Sequence, residues 1–96
     1  MDNNKDAYVR KLKAKIDEWN AEIDRLNAKA QQAEAEARME YLEQLEEIRK
    51  HRDDARQRLE KLQEAGEGAW EDLKSGAEMA VDSMVQAVKS AKERFR

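Results

Sequence analysis

Ninety-six residues with a net charge of −3, 43% charged side chains, 5% aromatics and no proline or cysteine allow one domain built largely of charged helix. The missing cysteines exclude a disulfide framework, a thiolate nucleophile and a cysteine zinc site. Both signs of charge are spread evenly along the chain, which argues against nucleic acid as a partner.

From Lys5 to about Gln63 there is neither glycine nor proline, and Asp2, Asn3 or Asn4 can cap the first turn. The pattern predicts one continuous helix over about 5–63, some 88 Å long at 1.5 Å per residue. Leu12, Ile16, Trp19, Ile23, Leu26, Ala30, Ala33 and Ala37 recur at alternating steps of four and three, the seam of a heptad coiled coil. Ala33, Ala37, Tyr41 and Leu45 then follow at steps of four, a stutter, before Ile48, Arg52, Ala55, Leu59 and Leu62 resume the rhythm.

The stretch "EAGEGAW" carries Gly66 and Gly68, and a turn is expected over about 64–69. Gly66 is expected in the left-handed conformation that ends a helix, with Gly68 giving freedom before the next. A phosphate cradle is disfavoured there. The loop follows a helix, Glu64, Glu67, Glu71 and Asp72 surround it, and no lysine precedes Lys74.

A second helix is expected over about 70–94, with a seam of Trp70, Leu73, Ala77, Val81, Met84, Val88, Ala91 and Phe95. Folded back antiparallel, it covers less than half of the long helix and leaves the seam from Tyr8 to Ala37 bare. A second chain is the expected cover, and the simplest closed arrangement is an antiparallel homodimer crossing near Ala33 to Ala37. The oligomer interface is therefore expected at Leu12, Ile16, Trp19, Ile23, Leu26, Ala30, Ala33 and Ala37. Gly76 interrupts the second helix at about 1 kcal/mol relative to alanine, a cost that close packing against another helix would explain.

Nothing in the sequence reads as a catalytic, cofactor or metal site. Glu47 and His51 stand at i, i+4, but the Glu-x-x-His spacing of bundle metal sites fails, because Ile48 stands three before His51. Ser75, Ser83 and Ser90 have no histidine on their own helix to activate them. The cluster Arg10, Lys11, Lys13 and Lys15 is followed at once by Asp17, Glu18, Glu22 and Asp24, which suits a solvated face. An amphipathic second helix ending in basic residues admits an alternative role at a membrane surface. No apolar run approaches a signal peptide or membrane span, so the cytoplasm is the expected location.

The stretches "YVRKLKAKIDEWNAEIDRLNAKA" and "AWEDLKSGAEMAVDSMVQAVKSAKERF", with Trp19 and Trp70 as their distinctive points, resemble small bacterial and cyanobacterial coiled-coil proteins, some of them stress-response proteins. The resemblance implies a helical bacterial protein and supplies no catalytic residues. The whole chain, 1–96, is thus expected to be one all-α coiled-coil domain: a long helix, a glycine turn and a shorter antiparallel helix, dimeric and non-enzymatic. Its role is expected to be structural, through contact with itself and an unknown protein partner.

Overall fold

The structure, a computed structural model, describes residues 3–66 and 68–94. Asp2, Glu67 and Phe95, to which the sequence assigned a cap, a turn position and a seam position, lie outside the described residues. The described chain is all-helical: α1 spans Asn3–Gln32, α2 Ala35–Glu64 and α3 Trp70–Arg94. The three helices lie side by side in a body of 53 × 18 × 17 Å. Thirty residues of helix measure about 45 Å, so α1 and α2 each run nearly its full length. α2 packs extensively on both others, while α1 and α3 approach each other only lightly.

The expected helix over 5–63 is therefore broken, at Ala33 and Glu34. No glycine or proline makes this elbow. Glu34 is extended (φ −67°, ψ 160°) and its side chain caps nothing. Ala33 N–H donates to the Ala30 carbonyl at 3.1 Å, and Arg38 N–H to the Glu34 carbonyl at 2.7 Å. The Arg38 guanidinium reaches back across the bend and donates to the Gln31 and Ala33 carbonyls at 3.2 and 3.1 Å. A few helical hydrogen bonds are lost, each worth about 0.5–1.5 kcal/mol net. Folding back buries a whole seam, and each large apolar side chain in it contributes about 1.5–3 kcal/mol. Burial wins.

That seam is the one assigned to a dimer interface. Leu12, Ile16, Trp19, Ile23, Leu26 and Ala30 are buried in a core shared with Leu45, Ile48, Ala55, Leu59 and Leu62 of α2 and Trp70, Ala77, Ala80, Met84 and Ala91 of α3. The chain covers its own stripe. Ala33 sits in the elbow and Ala37 in the first turns of α2, both only partly buried.

The chain turns again between Glu64 and Trp70, at the glycines, but not as expected. No described glycine has positive φ. Ala65, extended at φ −72° and ψ 142°, closes α2 by donating its N–H to the Leu62 carbonyl. The Gly66 carbonyl instead accepts the N–H groups of Ala69 and Trp70 at 3.1 and 3.2 Å, opening α3. Lys5 of α1 donates its ammonium to the Ala65 carbonyl at 2.5 Å, placing a cation at the C-terminus of α2, where the helix dipole favours it.

Gly76 packs under Arg58 of α2. A Cβ there would meet the Arg58 Nη1 at 2.6 Å. That atom is the far end of a flexible, exposed side chain tied to Asp54 at 3.3 Å, so it can swing away at little cost. Gly76→Ala is expected to raise stability by up to about 1 kcal/mol, the helix-propensity difference, as read from the denaturation midpoint. A lowered midpoint would show that Arg58 is held in place.

Candidate functional site: the groove between α1 and α3

Because α2 packs against both neighbours, the bundle is closed on two sides and grooved on the third, between α1 and α3. Contacts at both ends fix the register of these two helices. Near one end the Lys74 ammonium lies 5.4 Å from the centre of the Tyr8 ring and 5.5 Å from that of Trp70. Toward the other, Lys92 pairs with Glu22 at 3.5 Å, and Glu22 also receives Arg25 at 3.2 Å. The two helices thus run in the same direction, with Tyr8 level with Lys74 and Glu22 level with Lys92.

The groove has two recesses. The first, of about 260 Å³, has Tyr8, Leu12 and Val81 as its apolar floor, Lys11 and Lys15 on the α1 rim, and Glu78 and Asp82 on the α3 rim. The second, of about 290 Å³, is floored by Trp19, Val85 and Val88, with Lys89 and Lys92 on its α3 rim. Val85 is 43% exposed. Along α1 the rim therefore runs from positive (Lys11, Lys15) to negative (Glu22), and along α3 from negative (Glu78, Asp82) to positive (Lys89, Lys92). Among the described residues no ion pair joins Lys11 or Lys15 to Glu78 or Asp82. Glu78 leans instead toward Lys74, at 3.9 Å.

Tyr8 feels this setting. Partial burial pushes its phenol above the ordinary value of 10.0, and the carboxylates of Glu78 and Asp82 push it further. With the folded-state value raised, the unfolded chain releases the phenolic proton first, so stability is intact below about pH 10 and falls as pH rises beyond it. Tyr8→Phe is expected to flatten that alkaline decline while leaving neutral-pH stability little changed, as measured by denaturation across the pH range. An unchanged alkaline slope would contradict it.

The remaining sequence candidates are dispersed. Of the basic cluster, Lys11 and Lys15 border the groove, while Arg10 and Lys13 are exposed and line neither recess. His51 borders a shallow depression lined by Asp82, Ser83, Gln86 and Ser90 of α3. A histidine does stand beside the α3 serines, supplied by α2, yet no hydrogen bond joins it to them and the depression is open to solvent. Among the described residues no three His, Asp or Glu side chains converge as a metal site would require. Arg52 of α2 donates to Asn20 of α1 at 2.7 Å, a tie between helices that the heptad reading had placed within the seam. The apolar face of α3, offered to a membrane in the alternative reading, is turned inward: Trp70, Ala77, Ala80, Met84 and Ala91 are buried. Among the described residues no helix is long and apolar enough to cross a membrane.

The sequence reading placed Tyr8 at the start of the bare seam but missed the groove and the pairing of Tyr8 with Lys74, because all of it depends on α1 lying beside α3. Comparison of the chain with models of protein families, with characterised proteins and with solved structures gives no match.

Proposed function

We propose that the protein is a non-enzymatic structural protein that acts by self-association, two copies joining through the groove between α1 and α3. The observation that carries this reading is the crossed charge pattern on the groove's rims. A two-fold axis parallel to the helices sets α1 of one copy over α3 of the other at the same level. Lys11 and Lys15 of each copy then face Glu78 and Asp82 of its mate, and Glu22 faces Lys89 and Lys92. The surface is thus complementary to itself, as a symmetric dimer interface must be. Val81, Val85 and Val88 supply the apolar centre between those rims. The resemblance to bacterial coiled-coil proteins suggests a stress-related setting for this association. The membrane-surface alternative is less favoured, because α3 would have to leave the bundle to present its apolar face.

Sedimentation equilibrium tests the proposal. The wild-type chain is expected to dimerise, and Lys11→Glu with Lys15→Glu to weaken the dimer on the order of tenfold, since several exposed pairs worth about 0.2–1 kcal/mol each turn repulsive. Adding Glu78→Lys and Asp82→Lys should restore it. A mass of 11.2 kDa at every concentration would overturn the reading.

A further inference from the structure

The elbow at Ala33 and Glu34 is a joint that the local sequence does little to enforce. It contains no glycine, no proline and no residue of positive φ. Glu34, in the capping position, makes no side-chain capping bond. The residues around it, "AKAQQAEAEAR", are nearly all strong helix formers. What holds the bend is the core on one side of it and the Arg38 guanidinium on the other.

We infer that the elbow can straighten, and that two chains then exchange their α1 helices. This rests on the reading that the protein associates with copies of itself, and it names a different route. In the open chain α1 and α2 form one helix over 3–64, about 93 Å long. Two such helices lie antiparallel and cross at Ala33 and Glu34. Each end of the dimer is a three-helix bundle made of α1 from one chain and α2 and α3 from the other.

Every core contact of the closed chain, Leu12 to Ala30 against α2 and α3, is remade between chains. Only the joint differs. The straight form regains the helical hydrogen bonds across residues 33–37 and gives up the Arg38 caps. The seam keeps its face through the joint, because Ala33, Ala37, Tyr41 and Leu45 follow at steps of four, the insertion that lets a coiled coil unwind locally and continue. Such exchange of an identical element is a low-cost route to a dimer when the hinge is short. It competes with closure at an effective concentration in the millimolar range for a short connection. Refolding at millimolar protein therefore traps the exchanged form, and dilution returns it slowly, because α1 must detach first.

One substitution separates the two forms. Glu34 already has the extended conformation required before a proline, and Ala35 is the first residue of α2, where proline is favoured. Ala35→Pro therefore fits the closed elbow. In the straight helix it falls in the interior, once in each chain. The expected result is a folded chain of wild-type helicity whose exchange constant falls on the order of 10⁴-fold, a loss of about 3 kcal/mol per proline. The groove variant Lys11→Glu with Lys15→Glu should retain exchange.

A second measurement does not depend on how the proline variant folds. The chain has no cysteine, so Asn4→Cys and Gln63→Cys accept a donor and an acceptor dye. In the closed chain these positions are neighbours, as the Lys5 ammonium 3.4 Å from the Gln63 carbonyl shows. In the open chain they stand about 88 Å apart. Labelled chain refolded at millimolar concentration in excess unlabelled chain is expected to lose energy transfer in the dimer fraction. A dimer with full transfer, or Ala35→Pro dimerising as well as its parent when both carry Lys11→Glu and Lys15→Glu, overturns exchange and leaves groove association standing. A chain that stays monomeric after millimolar refolding overturns both.

Discussion

Leu45→Ala is expected to lower the unfolding free energy by about 2–5 kcal/mol. Leu45 is fully buried, on the one helix that packs extensively on both others. Removing its side chain loses the transfer free energy of the missing carbons and leaves a cavity that helices held by a shared core cannot readily collapse. Domains of this size are stable by only about 5–15 kcal/mol, so the melting temperature should drop by roughly 10 °C or more. Thermal denaturation followed by circular dichroism checks this. A loss below about 1 kcal/mol would mean that Leu45 is not enclosed from both sides.

The second large effect is expected at Trp19, which is 8% exposed and lies under the groove beside Val85 and Val88. Trp19→Ala should cost about 3–5 kcal/mol and should remove a blue-shifted tryptophan emission at low protein concentration. The experiment separates two architectures. On a bare seam of a long rod, Trp19 in the dilute monomer would face water, so its truncation would cost little and the lost emission would be red. In the three-helix bundle the indole is covered by the chain itself. Denaturant titration of the two proteins gives the energy, and their difference emission spectrum gives the environment.

Much of this core was legible in the sequence, and its partner was not. Heptad spacing picked out Leu12, Ile16, Trp19, Ile23, Leu26 and Ala30 as one face, because helical periodicity records which residues need cover. Periodicity does not record what supplies the cover, and a second chain and a returning helix of the same chain satisfy it equally. The glycines at 66 and 68 announced a break because glycine is a poor helix former in any context. The elbow at Ala33 announced nothing of the kind, since its capping group is the guanidinium of Arg38, a residue that reads as an ordinary helix former. One local sign did exist. The three steps of four from Ala33 to Leu45 interrupt the heptad rhythm, as a stutter does, and also as the end of one helix and the start of another do.

The groove was illegible for a related reason. Lys11 and Lys15 looked like part of a solvated basic run, and Glu78 and Asp82 like the polar face of another helix. Their opposition across a recess of about 260 Å³ exists only once α1 lies level with α3. Gly76, whose purpose the sequence left open, lies beneath the Arg58 guanidinium, a flexible neighbour that does not require glycine there.

Small-angle X-ray scattering, extrapolated to zero concentration, tests most directly the claim that α1 folds back on its own chain. The bundle has a Cα radius of gyration of 15.4 Å and a longest dimension of 53 Å, so a value within a few ångströms of 15.4 Å, raised by side chains and hydration, is predicted. A straight helix over 5–63 is about 88 Å long and alone has a radius of gyration of roughly 25 Å. A value near that figure for the monomer would contradict the elbow, and with it the groove built upon it.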